Sequence, residues 1–291
     1  MTKRLARLQE LQQDVFVGCM EAINETARRG GLREYSTYSR IWEYPWAWLQ
    51  LQALQGRNLQ VLDIGSEMSP FPWFLAARGF NVIVSDVTPK WWRVWKTATR
   101  RLGLAARLRL FDARHVDLPT ASVDIYLSVS VIEHVPDKPG TIKEAARVLR
   151  PGGLLVMTFD VSEPEMGMTF PEWNGRALTM REFDHLFTGS RWFEPGIEHL
   201  RWNEEDIPGY LSWNRTTAPH HNYVTGGAVV RRNTRAWEEA ASERRWRIII
   251  GKICTARSVA VWGVRSATTA ARRLVGRRIR SALRRALTWK S

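Results

Sequence analysis

The chain has 291 residues, of which 44% are hydrophobic and 25% are charged, a composition typical of a globular protein with one large core. Its two cysteines, Cys19 and Cys254, lack the spacing of a metal or redox motif, which argues against a disulfide scaffold or a zinc site and fits a reducing cytoplasm. The N-terminal sequence has no apolar signal core, and no apolar run approaches the ~20 residues that cross a bilayer, so we expect neither secretion nor a spanning helix.

The net charge of +14 is concentrated at the C-terminal end of the chain. Residues 234–291 contain 15 lysines and arginines against 3 acidic residues, whereas the rest of the chain is close to neutral. We therefore expect the tail to bind an anionic partner, and we do not expect the preceding domain to need one.

Residues 1–53 are predicted to form an N-terminal helical and aromatic cap. The chain up to about Gly30 is expected to be helical, with one apolar face made of Leu5, Leu8, Leu11, Val15 and Met20. Pro45 predicts irregular backbone around Tyr44 and a helix after it. The three tryptophans and three tyrosines between Tyr35 and Trp48 are expected either to pack in the core or to line a ligand pocket beside the first strand.

The next stretch predicts a nucleoside-binding half-site. An apolar strand, Val61 to Ile64, leads through a turn at Gly65 into a helix opened by Ser69, and a second strand ends at Asp86. A carboxylate about 20 residues after such a turn can accept the hydroxyls of a ribose. The alternative is a strand-helix-strand unit that only packs.

Further strands are predicted to end at Asp112, to run from near Asp124 to Ser128 and beyond, and to follow the Gly-Gly turn after Pro151. Helices separate them, and each strand is nearly continuous in apolar residues. This pattern is typical of a parallel sheet covered on both faces, and the fold class is therefore α/β.

Several motifs occur in register along residues 54–159: VLDIGSEMS, VIVSD, FDARHVDLP, VDIYLSVSVIEHVPD and EAARVLRPGGLLVMTF. The series resembles the class I S-adenosylmethionine-dependent methyltransferases, close to their type 11 group. The resemblance implies a Rossmann-like, mostly parallel sheet of seven strands, with helices on both faces and an antiparallel closing strand at residues 225–233. It also implies a domain spanning 54–233 and S-adenosyl-L-methionine as the cofactor.

The resemblance assigns ribose binding to Asp86, adenine binding to Asp112 and the backbone of Ala113, and the methionine part of the cofactor to the first turn and the fourth strand. The full predicted cofactor site is Asp63, Gly65, Ser66, Glu67, Ser69, Asp86, Val87, Asp112, Ala113, Ser128 and Val129. The acids have an alternative role as carboxylates that end strands or cap helices.

The first turn departs from the family pattern Gly-x-Gly-x-Gly, because only Gly65 is kept and Glu67 occupies the second glycine position. A side chain there disfavours a positive φ and limits how closely the backbone approaches a ligand. The Glu67 carboxylate could oppose the cofactor's carboxylate or pair with its amino group.

His134 and Glu133 are the predicted catalytic residues, since both follow the fourth strand at its carboxyl end. An imidazole titrates near neutrality, so His134 is the preferred base for a hydroxyl acceptor. The alternative is a histidine that caps the following turn. No metal is expected, because Ser130 stands where ubiquinone-pathway O-methyltransferases carry the first acid of a metal-linked motif.

Residues 160–224 are predicted to determine acceptor specificity. They mix acids, amides and tryptophans, which suits stacking and hydrogen bonding to a sugar, and His220 and His221 offer an alternative base. Loops that only pack their own aromatic residues are the other interpretation.

Residues 234–291 predict basic amphipathic helices. One apolar face collects Ala271, Val275, Ile279, Ala282, Leu283, Ala286 and Leu287, and arginines surround it. This pattern favours an anionic membrane surface as the partner. Nucleic acid, a protein partner or a second copy of the chain are the alternatives.

The sequence therefore predicts a cytoplasmic, peripheral O-methyltransferase of a sugar or lipid-linked glycan. Two alternatives remain open: a methyltransferase of a lipid-soluble small molecule such as a quinone precursor, and a non-catalytic scaffold that keeps the fold.

Overall fold

The computed structural model describes residues 2–37, 39–162, 175–187, 192–194, 207–217 and 221–234. All of them belong to one compact unit, Met1–Ala236. The basic segment 235–291, and with it the predicted membrane-binding face, lies outside the described residues.

The described part of the chain forms one seven-stranded sheet with helices between the strands. The strands are β1 Thr2–Leu5, β2 Gln60–Ile64, β3 Asn81–Asp86, β4 Arg107–Leu110, β5 Val123–Val129, β6 Leu149–Val161 and β7 Val224–Arg231. The α-helices are α1 Asp14–Gly30, α2 Arg40–Leu51, α3 Phe71–Ala76, α4 Trp92–Leu102, α5 Lys138–Val148, α6 Met180–Phe187 and α7 Ile207–Thr217. Short 3₁₀ turns span Leu8–Gln12, Gln52–Leu54, Pro89–Trp91 and Ile132–His134.

The strand order is β1-β7-β6-β5-β2-β3-β4. Strands β2 to β6 pair in parallel, and β7 runs antiparallel to both β6 and β1. This confirms the predicted parallel sheet with its antiparallel closing strand. The central strands are buried on both faces, as in β5, where Tyr126 and Leu127 are fully covered, which is why their sequences are continuously apolar.

The N-terminal helix is shorter than predicted, because Thr2–Leu5 is the edge strand β1. Its backbone pairs with Gly226 to Val229 of β7, and the amide of Ala6 donates to the carbonyl of Thr225 at 2.8 Å. The partners on β7 are more than 200 residues away in the chain, so no local sequence pattern reveals these hydrogen bonds. The helix α1 therefore begins only at Asp14.

The helix α2 also differs from the prediction, since it runs through Pro45 without a break. A proline inside a helix costs about 3 kcal/mol. Trp42, Tyr44 and Trp46 on either side of it are fully buried, and Trp42 stacks on Trp46 with ring centroids 5.4 Å apart. Burial of these large rings outweighs the cost of the proline.

The ring of Trp46 packs against β7 at a glycine. A Cβ atom on Gly227 would lie 2.6 Å from this ring, so only a glycine lets α2 approach the sheet this closely. None of the described helices is long and apolar enough to cross a membrane.

We predict that Gly227→Ala lowers the free energy of unfolding by about 1–3 kcal/mol, because the new methyl group forces Trp46 out of its place. The control is Gly18→Ala in α1, where nothing lies within 4 Å of the new Cβ and alanine should raise stability by about 1 kcal/mol. Urea unfolding of the full chain measures both. A stable Gly227→Ala protein would contradict the packing described here.

Candidate functional site

The carboxyl ends of β2, β3 and β5 open into one cavity of about 980 Å³. Its volume is at the upper end of the range for small-molecule sites. The walls come from several segments: Arg33 to Thr37, Arg40, Ile64, Gly65, Glu67, Asp86 to Thr88, Lys90, Trp91, Phe111 to Arg114, Ser130, Val131, His134 to Pro136, and Thr217. Of the predicted site residues, the cavity thus brings together Gly65, Glu67, Asp86, Val87, Asp112, Ala113 and His134.

The turn after β2 requires its one glycine. Gly65 has φ +72°, and a Cβ atom there would lie 2.5 Å from Cγ2 of Val131, another wall residue. Any side chain at this position would both strain the backbone and collide with Val131.

Glu67 adopts a left-handed conformation with φ 43° although it is not a glycine. Two hydrogen bonds fix its backbone: its amide donates to the Asp86 carboxylate at 3.2 Å, and its carbonyl accepts from the Trp95 indole at 2.6 Å. These bonds offset the cost of the left-handed backbone, about 1–3 kcal/mol, and so replace the missing second glycine. Loss of hydration in the crevice, with the nearby Asp86, raises the pKa of Glu67.

Asp86 lies at the end of β3 and is 5% exposed. Its carboxylate accepts from the amides of Thr88 at 3.0 Å and of Glu67 at 3.2 Å. Burial raises its pKa, and the backbone donors oppose that rise. A carboxylate has about four acceptor positions, so capacity remains for the hydroxyls of a ribose. Val87, next in the chain, is 69% exposed and borders the same cavity.

Four other predicted residues border a separate, smaller space of about 10 Å³, enough for about one water. They are Asp63, Ser66, Ser69 and Val129. The Ser66 hydroxyl donates to the Asp63 carboxylate, and the Ser66 amide donates to the carbonyl of Ser85 at 2.9 Å. Burial raises the pKa of Asp63 to about 7. These contacts support the turn. That the four residues contact a cofactor stays a prediction.

Asp112 borders the cavity but already has a partner. Arg114 donates to its carboxylate from Nε at 2.9 Å, from Nη2 at 2.6 Å and from its backbone amide at 2.9 Å. The side-chain hydrogen bond from Arg114 lowers the pKa of Asp112. An adenine amine would therefore share this carboxylate with Arg114.

The two predicted catalytic residues occupy different environments. His134 is half-buried and lies in the cavity wall. Glu133 is 1% exposed and, like Ser128, borders neither space. Within the described residues neither carboxylate oxygen of Glu133 has a hydrogen bond, and burial, together with Glu43, raises its pKa to about 8. Only His134 is therefore placed to contact a substrate.

Sequence reasoning missed the polar network between α2 and the sheet. Glu43 is fully buried and accepts from the hydroxyls of Ser130 at 2.5 Å and Thr158 at 2.6 Å. Arg40 pairs with Glu43 and donates to Ser130 at 2.5 Å, and Arg40 also borders both spaces. The partners are about 90 to 115 residues apart in the chain, so no local motif announces them.

The segment 33–37, which covers part of the cavity, was also missed. Asn24 of α1 holds it by donating to the carbonyl of Tyr35 at 2.8 Å and accepting from the Tyr35 amide at 2.9 Å. Arg28 pairs with Glu34 at 2.8 Å, and the Arg33 amide donates to the carbonyl of Met68 at 3.3 Å. The segment is thereby joined both to α1 and to the turn after β2.

The acceptor-specificity region is described in part. Thr217 at the end of α7 reaches the cavity, and its hydroxyl donates to the carbonyl of Asn214 at 2.7 Å. Its hydroxyl oxygen also lies 2.9 Å from Nδ1 of the His221 imidazole. His220, Trp173 and Trp202 lie outside the described residues, and the region's other two tryptophans, Trp192 and Trp213, pack against the core. Within the described part no cluster of three potential metal ligands occurs.

We predict that the burial of Glu133 makes stability fall as pH rises. Its pKa is about 4.5 when unfolded and about 8 when folded, so the folded chain holds a proton that the unfolded chain releases between these values. Thermal unfolding gives the free energy of unfolding at about pH 5 and about pH 8. Its decrease between these pH values should be smaller in Glu133→Gln than in the wild type by at least about 1 kcal/mol. The pKa of Asp63 is raised as well, so the stability of the Glu133→Gln variant should still decrease with pH. Equal pH dependence in the two proteins would contradict the raised pKa.

Comparisons with known proteins identify the domain. Residues 62–157 match a family described as a methyltransferase domain, type 11. The ubiquinone/menaquinone biosynthesis C-methyltransferase UbiE of Sinorhizobium fredii is 31% identical over 139 residues, which cover 45% of this chain and 53% of that protein. The ubiquinone biosynthesis O-methyltransferase of Cereibacter sphaeroides is 29% identical over 124 residues, covering 42% and 50%. The chain thus spans about half the length of the curated relatives it matches.

A solved structure from Galdieria sulphuraria, named as a candidate sarcosine dimethylglycine methyltransferase, matches with a TM-score of 0.56 at 15% identity, covering 74% of this chain and 99% of that one. At this identity the likeness shows the fold alone. The family match, the sheet topology and the cavity at the strand ends agree. Residues 62–157 therefore belong to the class I S-adenosylmethionine-dependent methyltransferase family, in its type 11 group.

Proposed function

We propose that the protein uses S-adenosyl-L-methionine to methylate a hydroxyl oxygen of a polar acceptor, a sugar or lipid-linked glycan, at the cytoplasmic surface of a membrane. The observation that carries the proposal is the shared cavity, in which the glycine turn, the ribose-type carboxylate and an imidazole border the same space.

The described residues fit the cofactor. Gly65 allows the left-handed turn, φ +72°, that places the backbone after β2 in the cavity wall, and Asp86 keeps acceptor capacity there. Arg40 borders both spaces and suits the carboxylate of the methionine part, whereas Glu67 suits its amino group. The Glu67 side chain does not close the cavity, which argues against the non-catalytic scaffold.

The bound cofactor supplies an activated methyl group on its sulfonium. The protein must therefore hold the acceptor oxygen in line with that methyl and remove the hydroxyl proton. His134 borders the space beside Gly65 and accepts this proton at a ring nitrogen in the proposed reaction. General-base catalysis of this kind contributes about 10²–10⁴-fold.

The character of the wall supports a polar acceptor. The part of the wall not assigned to the cofactor has polar side chains, Arg33, Ser36, Thr37, Lys90 and Thr217, beside apolar ones, Trp91, Val131, Val135 and Pro136. Among the described residues Trp91 is the only tryptophan in it. The polar side chains, two of them cationic, suit an acceptor with hydroxyls and charge.

A quinone-type acceptor is the second candidate, because both matched relatives described above act in quinone biosynthesis by name. One of them is a C-methyltransferase and the other an O-methyltransferase, so the relatives leave the acceptor atom open.

We predict that the full chain transfers a radiolabelled methyl group into a polar, glycan-containing fraction of a cell extract. His134→Gln should lower the rate by about 10²–10⁴-fold and leave the dissociation constant of S-adenosylhomocysteine, measured by calorimetry, unchanged. Asn24→Ala is the comparison variant: it removes a hydrogen bond to the segment 33–37, which lines the cavity, and leaves the His134 imidazole intact. Label in the quinone fraction alone would favour the second candidate, and full activity of His134→Gln would remove the proposed base.

For the tail, we predict that the full chain sediments with anionic liposomes and not with neutral ones. Replacing Arg272, Arg273, Arg277, Arg280 and Arg284 with glutamine should reduce binding strongly, since each cation near such a surface contributes about 1 kcal/mol. Equal sedimentation of the two proteins would remove the membrane proposal and leave the methyltransferase proposal intact.

A further inference from the structure

Most charged groups in the cavity wall already have a partner. Glu34 pairs with Arg28, Asp112 with Arg114, and Arg40 with Glu43. Asp86 accepts from two backbone amides. The three ion pairs are therefore neutral without any ligand, whereas the Asp86 carboxylate has only backbone donors and no cationic partner in the described part of the chain.

Two wall cations remain, Arg33 on the covering segment and Lys90 in the turn after β3. Neither forms an ion pair with any residue in the described part of the chain, and both are exposed at the cavity. Each lies over an aromatic ring: the Arg33 guanidinium is 5.0 Å from the Tyr35 ring centroid, and the Lys90 ammonium is 4.4 Å from that of Trp91. The rings restrict where the two long side chains place their charges.

The two cations act on the same region. Both lie close enough to Glu67 to lower its pKa, as does Arg40, although loss of hydration keeps that pKa raised overall. Two acids without an ion-pair partner in the described part of the chain, Glu67 and Asp86, thus face the two unpaired cations. The proposed cofactor adds a sulfonium and an ammonium against a single carboxylate, so its binding leaves an excess of positive charge in the cavity.

We propose that Arg33 and Lys90 bind a phosphate group carried by the acceptor. This inference rests on the proposed function and specifies its substrate class. A phosphate dianion matches two cations, whereas a carboxylate needs only one, and the pair combines the fork of a guanidinium with the point charge of an ammonium. Both side chains are exposed to solvent, which allows the rest of a large acceptor to remain outside the cavity.

The test uses the full chain saturated with S-adenosylhomocysteine, with inorganic phosphate as the probe and ³¹P line broadening at constant ionic strength as the readout. The wild type should show saturable binding. The double variant Arg33→Gln/Lys90→Gln should bind phosphate at least tenfold more weakly, and its calorimetric affinity for S-adenosylhomocysteine should match that of the wild type.

The matched control is Arg29→Gln/Lys96→Gln, which removes one exposed arginine and one exposed lysine that do not border the cavity. Lys96 also lies over a tryptophan ring, 5.7 Å from that of Trp92. This control should bind phosphate like the wild type, and acetate should bind at least tenfold more weakly than phosphate.

Absence of phosphate binding to the wild type, equal loss in both double variants, or acetate binding as tight as phosphate would each overturn the proposal. Absence of S-adenosylhomocysteine binding would overturn the proposed function instead. The phosphate titrations would then be read on the unliganded proteins with the same criteria.

Discussion

The carboxylate of Asp86 is the constraint on which the site depends. It accepts from the amides of Glu67 and Thr88, and so ties the turn after β2 to the turn after β3. Thr88 in turn caps the 3₁₀ turn that carries Lys90, through a hydrogen bond of 3.3 Å to the Lys90 amide. One buried acid therefore sets the positions of the glycine turn, the ribose side of the cavity and one of its two unpaired cations.

The N-terminal segments depend on a second buried acid. Glu43 sits in the interior with three donors around it, from Arg40, Ser130 and Thr158. Removing a partner of a buried charge costs several kcal/mol, so this network holds α2 in one orientation against the ends of β5 and β6. Arg40 borders the cavity as a consequence, and the residues before the methyltransferase match complete its wall.

The central sheet and much of the site could be predicted from the sequence. Continuous apolar runs separated by helices indicated the parallel strands, and the acid that ends β3 lies in the cavity wall as its position implied. His134 could be placed for the same reason, because the carboxyl ends of parallel strands meet at one edge of a sheet.

The remainder depends on contacts between residues far apart in the chain. The strand Thr2–Leu5 forms only because β7 presents a free edge, and Arg40 reaches the cavity only because Glu43 has its hydroxyl partners just after β5 and on β6. Glu133 and His134 are neighbours in sequence, yet the turn they share directs one into the interior and the other to the cavity. Local pattern does not determine such burial, since it is set by the surrounding packing.

The most direct test of the central claim is a crystal structure of the full chain with S-adenosylhomocysteine. We expect the adenosyl group in the cavity, with both ribose hydroxyls within hydrogen-bonding distance of the Asp86 carboxylate and the homocysteine part beside Gly65. A ligand bound elsewhere, or a cavity filled by the Glu67 side chain with the ligand excluded, would contradict it.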